Sequence, residues 1–209
     1  MDWFSGALDE HEALRGLYPA AQDRAWRKDV GCLDEMARAL IAASPMLLLA
    51  TAGADGRCDS SPRGGQPGFV TVLDDRHLAI PDATGNRRLD SLTNIIDSGH
   101  VGLLFLIPGR TTTLRVNGRA CVTADAECLA QVAAVGKPPI TAIVVRVEEV
   151  YAHCPKAFVR SRLWQPDSWP DAQQLPSPAA VTLAHLREPE LTLAEIERRE
   201  EDSLKNRLA

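Results

Sequence analysis

Between residues 46 and 151 the chain is dominated by short runs with the continuous apolar character or two-residue period of β-strands, and most neighbouring runs are separated by only a few turn residues. Residues 46–51, MLLLAT, read as a buried strand, and the Asp55-Gly56 pair after it suits a hairpin turn into a second strand near Cys58. Residues 68–73 and 77–80 flank a short Asp-Asp-Arg connection, as two further antiparallel strands would. Residues 101–107, VGLLFLI, are apolar on both faces and belong in the middle of a sheet. Thr113, Arg115, Asn117 and Arg119 alternate with Leu114, Val116, Gly118 and Ala120, a strand with one polar face, and residues 140–151 form a long last strand. Strands at hairpin spacing with only two or three intervening helices argue against a doubly wound parallel sheet and predict an antiparallel barrel.

The flanks read as helical. Leu33, Met36, Ala37, Leu40 and Ile41 recur at helical spacing, and Ser44-Pro45 ends that helix. After the Gly85-Asn86 turn a second helix is expected, opening at Arg87 and Arg88, with Leu89, Leu92, Ile95 and Ile96 facing the core and Gly99 as its C-terminal cap. Residues 124–135 form a further predicted helix. Five prolines make residues 165–190 an extended segment or lid, and Thr192 with Glu195 forms a capping box that opens a charged C-terminal helix. The expected organisation is a single domain over 1–209: an N-terminal helical segment at 1–45, the barrel core at 46–164, and the Pro-rich segment with its helix at 165–209.

At 209 residues and 45% hydrophobic content the chain can bury a sizeable core. A net charge of −5 with the signs intermixed provides no basic stripe for nucleic acid. Five cysteines without a C-x-x-C pair point away from a disulfide framework or a zinc site, so no metal is expected and a reducing compartment is. The first residues are acidic and lack an apolar leader region, and no run approaches membrane-spanning length. A cytoplasmic protein is the expectation.

Three polar clusters stand out. The stretch from Asp59 through Ser60, Ser61, Pro62 and Arg63 to Gly65 places two hydroxyls and a guanidinium at the end of a strand, although a solvated loop with a serine turn has the same composition. Asp82, Asn86, Arg87 and Arg88 surround the start of the second helix. Cations there oppose the helix dipole, and a bound anion would reverse that balance; alternatively the arginines face water, with Asp90 pairing Arg87 and leaving Arg88 unmatched. The third cluster, the polar face of Thr113, Arg115 and Asn117, is also what an ordinary solvent-facing strand presents.

In order and spacing, SSPRGGQPGFV, IPDATGNRRLDSLTNI, VGLLFLIPG and TLRVNGRA resemble the pyridoxamine 5'-phosphate oxidase-like family of FMN-binding split barrels, over roughly residues 43–164. The resemblance implies a mainly β fold with flanking helices, a six-stranded antiparallel split β-barrel, and a homodimer with FMN at its interface. It implies that Ser60, Ser61, Pro62 and Arg63 line the flavin, that Pro81 and Asp82 sit at the end of the next strand, and that Asn86, Arg87 and Arg88 take the phosphate. Thr113 falls where family members place a polar contact to the ring. Arginine suits a phosphate monoester because its planar donors match the oxygens in pairs. A reduced flavin needs positive charge near N1 and O2, for which Arg63 and Arg115 are the candidates. Lys156, Arg160 and Trp164 are candidates to reach the flavin of the partner subunit, the alternative being a basic surface helix anchored by one Trp. His153 and Cys154 are neighbours on a strand and point to opposite faces, which excludes a dyad between them.

The family's oxidases end in an arginine-histidine substrate motif, and this chain has HCPKAFVRSRLWQPDSWP instead. The leading expectation is therefore a dimeric FMN-dependent oxidoreductase acting on a small organic substrate or a nicotinamide, with pyridoxamine 5'-phosphate a poor substrate. A non-catalytic FMN or haem carrier or sensor on the same barrel is the main alternative, and a pyridoxamine 5'-phosphate oxidase the third.

Overall fold

The computed structural model describes residues 2–82 and 85–206. The alternating segments form β1 (Met46–Ala52), β2 (Cys58–Gly64), β3 (Thr71–Val72), β4 (His77–Asp82), β5 (His100–Leu106), β6 (Thr113–Thr123) and β7 (Thr141–His153). The helices are α1 (His11–Gly16), α2 (Asp23–Arg27), α3 (Glu35–Ala43), α4 (Asp90–Ser98), α5 (Ala126–Leu129), α6 (Lys156–Ser161), α7 (Pro178–Leu186) and α8 (Leu193–Asn206). All strand pairs are antiparallel, in the order β2-β1-β5-β6-β7-β4-β3. The sheet has seven strands rather than the six that the resemblance implies, and the expected 68–73 strand is reduced to residues 71–72, a minimal edge strand on β4. VGLLFLI takes the central place its two apolar faces require, between β1 and β6.

Alternation decides which side chains enter the core. Leu47 and Leu49 of β1, Leu103 and Phe105 of β5, Leu114 and Val116 of β6, and Ile143 and Val145 of β7 are all buried on the inner face. The register places the intervening residues on the outer face, in rows that cross several strands. Pro62, Leu48, Leu104, Arg115 and Tyr151 make one such row, and Ser60, Ala50, Gly102, Asn117 and Glu149 make the next. A β-bulge follows at Asn117/Gly118, where a Cβ on Gly118 would collide with the Arg146 carbonyl oxygen.

Two helices cover the inner face. Asp34 caps α3 by accepting the Ala37 N–H at 2.8 Å, and Leu33, Ala37 and Ile41 turn inward. Met36 lies on the flank of that stripe and is exposed. Helix α4 packs on β1, β2 and β6 through Leu92 and Ile95, and Gly99 ends it in the left-handed conformation at φ 67°. Leu89 and Ile96, expected on its core face, are exposed: α4 begins only at Asp90, so Leu89 precedes it, and Ile96 lies outside the Leu92–Ile95 stripe.

Two further expectations are corrected. The predicted 124–135 helix is confined to α5; beyond its end Val132 is buried against β4 and β7, and Val135 packs against the main core. The Pro-rich segment is not extended throughout: Ser177 caps Ala180 at 3.1 Å, and Pro178 opens α7 at a position that needs no N–H donor. Helix α7 packs on α8, with Thr182 donating to Glu200 at 3.1 Å. The capping box forms, Thr192 N–H donating to Glu195 at 3.0 Å and Glu195 N–H to Thr192 Oγ1 at 3.4 Å. Among the described residues no helix is long and apolar enough to cross a membrane.

Candidate functional site

Strand β2 alternates half-buried Asp59, Ser61 and Arg63 with exposed Cys58, Ser60, Pro62 and Gly64. The three half-buried side chains converge on Ser91 in the first turn of α4, which is only 3% exposed. The Ser91 hydroxyl donates to Asp59 Oδ2 at 2.5 Å, lies 3.0 Å from the Ser61 hydroxyl, and accepts from Arg63 Nη2 at 3.0 Å. Arg63 Nη1 reaches across to Asp82 Oδ1, at the end of β4, at 2.8 Å. With side chains 19% and 13% exposed, this pair is largely withdrawn from water. The Nε of Arg63 is buried with no partner among the described residues.

The turn between β4 and α4 forms the other wall. Asn86 Oδ1 accepts the Arg88 N–H at 3.0 Å, and Arg87 and Leu89 both adopt left-handed backbone at φ 62°. Such conformations cost a non-glycine residue on the order of 1 kcal/mol each. Helix α4 carries no side-chain cap at its N-terminus. Arg88 Nε donates to Asp90 Oδ2 at 2.7 Å, and that carboxylate raises the pKa of the guanidinium, holding it still more firmly protonated. The sequence-based pairing is thereby reversed. Asp90 is taken by Arg88, and Arg87 is the guanidinium without a hydrogen-bond or ion-pair partner among the described residues. Both arginines precede the helix instead of opening it, and Ala83 and Thr84, just before the Gly85-Asn86 turn, lie outside the described residues.

A cleft of about 300 Å³ lies between these walls, lined by Asp59, Ser61, Pro62, Arg63, Asp82 and residues 85–92. It gathers seven of the expected site residues: Ser61, Pro62, Arg63, Asp82, Asn86, Arg87 and Arg88. Asp59, Asp90 and Ser91 were missed. Asp59 was legible, since i, i+2 and i+4 on a strand share a face; Ser91 was not, because its place depends on how α4 docks.

The other expected residues lie elsewhere. Ser60 is on the outer face of β2, and Pro81 is buried in β4. Thr113 and Arg115 belong to a second cluster on β6 and β7. Thr113 is not a solvent-facing residue of a polar strand: it is 3% exposed, and its Oγ1 has no partner among the described residues. His153 stands opposite it in the ladder, with a buried and unpartnered Nδ1. One rung on, Arg115 donates to the Tyr151 hydroxyl at 2.7 Å, and Lys28 lies 4.7 Å from the centre of the Tyr151 ring. Burial, then the charges of Arg115 and Lys28, push the His153 pKa below its ordinary value. Lys156 and Arg160 lie on the short α6, and Trp164 stacks on Phe158 at 5.9 Å while donating to the Arg110 carbonyl at 2.8 Å. Within one chain this is an anchored surface helix, with no contact to the cleft.

An antiparallel split barrel whose first and sixth strands in the sheet order, β2 and β4, are clasped by an ion pair beside an arginine-bearing turn defines a class of protein as well as a site. The chain belongs to the pyridoxamine 5'-phosphate oxidase family, whose model matches residues 33–154. Solved structures similar to it include HupZ from Group A Streptococcus (20% identity, 57% of this chain and 92% of that one, TM-score 0.46). A pyridoxamine 5'-phosphate oxidase candidate from Lactobacillus delbrueckii is 27% identical over 59% of this chain and 98% of that one (TM-score 0.45). The heme storage protein HutZ from Vibrio cholerae is 15% identical over 56% and 89% (TM-score 0.40). No curated protein matches the chain.

Proposed function

We propose that this protein is an FMN-dependent oxidoreductase acting on a small organic substrate or a nicotinamide, built as a single split-barrel domain and working as a homodimer. The observation that carries the proposal is Arg87, a guanidinium with no acidic partner among the described residues, held in a left-handed turn at the mouth of a cleft beside an uncapped helix N-terminus. A phosphate monoester suits that position, since it is nearly dianionic and arginine offers it paired donors. The unpartnered Nε of Arg63 leaves one more donor deeper in the same cleft.

In this reading Arg87, with Asn86 and Arg88, takes the phosphate. Ser61, Pro62 and Arg63 run along the rest of the cofactor. Asp82 keeps Arg63 oriented, and the Ser91 hydroxyl bridges Asp59 and Arg63. Bound FMN supplies hydride and electron transfer, which explains why a site of this kind needs no dedicated acid or base from the chain. At about 300 Å³ the cleft accommodates part of the cofactor, and the remainder extends toward a partner subunit. Ser60, Arg115, Lys156, Arg160 and Trp164, which make no contact with the cleft of their own chain, are then available to the flavin held by the partner.

The test is spectroscopic. The protein is mixed with FMN and its visible spectrum and flavin fluorescence are recorded, followed by anaerobic addition of NADH or NADPH. Quenched fluorescence and bleaching by a nicotinamide are expected. Unquenched flavin overturns the cofactor assignment, and binding without reduction by either nicotinamide overturns the nicotinamide arm alone.

A further inference from the structure

A second basic feature crosses the outer face of the barrel. The ladders place His100 of β5 opposite Arg119 of β6, Arg119 opposite Arg146 of β7, and Arg146 opposite His77 of β4. Four cationic or titratable side chains therefore form one row over four adjacent strands, in a chain whose net charge is −5. Like charges directly opposite one another destabilise a sheet. The row is weakly compensated. His77 is paired with Asp74 at 2.9 Å, Glu148 approaches Arg146 only to 3.9 Å, and Arg119 has no hydrogen-bond or ion-pair partner among the described residues. The bulge at Asn117/Gly118, which only glycine accommodates, shifts the β6–β7 register so that Arg119 and Arg146 stand directly opposite each other, and both line one groove. A groove of about 390 Å³ lies over them, floored by the small Gly99 and Ala120.

We infer that Arg119 and Arg146 form a phosphate-binding site on the outer face of the barrel, separate from the flavin cleft and independent of its assignment. Guanidiniums on directly opposed residues offer two forks about 5 Å apart at their bases. A carboxylate satisfies one fork with its two oxygens. A phosphate, with three terminal oxygens, bridges both and cancels the repulsion between them. The two histidines flank the pair, and the groove is open enough for a substituent on the phosphate.

The experiment titrates inorganic phosphate, pyrophosphate and AMP separately into the isotope-labelled full chain and follows the arginine Nε–H signals by NMR. The signals are assigned by their loss in Arg119→Gln and Arg146→Gln. Inorganic phosphate is expected to shift both signals saturably with one dissociation constant, and either substitution to weaken binding by at least about tenfold. An AMP response at the same signals assigns the site to phosphate monoesters, and a response confined to phosphate and pyrophosphate assigns it to the inorganic ions; both support the site. In phosphate-free buffer Arg119→Gln is expected to melt at or above the wild-type temperature, because one of two opposed charges is gone. No saturable shift, undiminished binding in both variants, or a lower phosphate-free melting temperature overturns the proposal.

Discussion

Arg63 and Asp82 meet at 2.8 Å although β2 and β4 stand at opposite sides of the sheet, separated by β1, β5, β6 and β7 in the strand order. This contact joins the two sides of the barrel at the cleft. With both side chains largely buried, removing one partner strands the other's charge away from water, at a cost of roughly 3 kcal/mol. Arg63→Ala is expected to lower the urea midpoint accordingly. Arg63→Lys, which keeps the charge but not the second donor to Ser91, should recover part of the loss. Equal stability of Arg63→Ala and wild type in urea denaturation would contradict the clasp.

Arg87 separates binding from folding. Arg87→Gly removes a guanidinium with no partner among the described residues and relieves a left-handed φ, so the apo-protein should gain roughly 0.5–1 kcal/mol. If Arg87 holds the FMN phosphate, the same change lowers FMN affinity by about tenfold or more. Riboflavin, which has no phosphate, should be indifferent to it. Parallel fluorescence titrations with the two flavins and a melting curve check all three; equal losses for both flavins reject the phosphate site.

Ser91 is the hub of the cleft, engaged by Asp59, Ser61 and Arg63 while nearly inaccessible to solvent. Replacing it with Ala leaves a half-buried carboxylate and a guanidinium each short of a partner, a loss of roughly 1–3 kcal/mol. Thermal unfolding of Ser91→Ala measures that cost. Ser91→Thr keeps the hydroxyl and should be milder, and identical losses for the two would show that side-chain volume rather than hydrogen bonding matters there.

His153 carries a pH dependence whose sign is set by its surroundings. Its folded pKa is depressed, by burial first and then by Arg115 and Lys28, so between the folded and unfolded pKa the unfolded chain binds more protons. His153 therefore costs stability as pH falls through the ordinary histidine value of about 6.5, and has no such effect above it. Denaturation midpoints from pH 7.5 down to 5.5 should fall less for His153→Gln than for the wild type. An unchanged slope would place the titration elsewhere.

The exposed Leu89 at the cleft, the exposed Ile96 on α4, and the half-buried Leu48 and Leu104 of the outer face leave surface for a second copy to cover. Light scattering is expected to give twice the chain mass of 22.7 kDa, and a monomer mass overturns the dimer.

The strand segments, the antiparallel class of the sheet and the helix face built on Leu33, Ala37 and Ile41 were determined by the sequence alone, because periods of 2 and 3.6 residues are local properties that a buried face enforces directly. The family motifs likewise marked β2 and the β4–α4 turn. What the sequence left open depended on contacts between distant segments. Whether Asp90 pairs with Arg87 or Arg88 was decided by a turn that places Arg87 and Leu89 in left-handed backbone. That Ser91 joins Asp59, Ser61 and Arg63 was decided by the docking of α4, and that Arg119 faces Arg146 by a one-residue bulge. The division of Ser60 and Arg115 from Ser61 and Arg63 follows from strand alternation, yet only barrel closure made one face a cleft and the other an outer surface. Local patterning fixes which side chains share a face, but what that face meets depends on the packing of segments tens of residues apart, which no short stretch of sequence encodes.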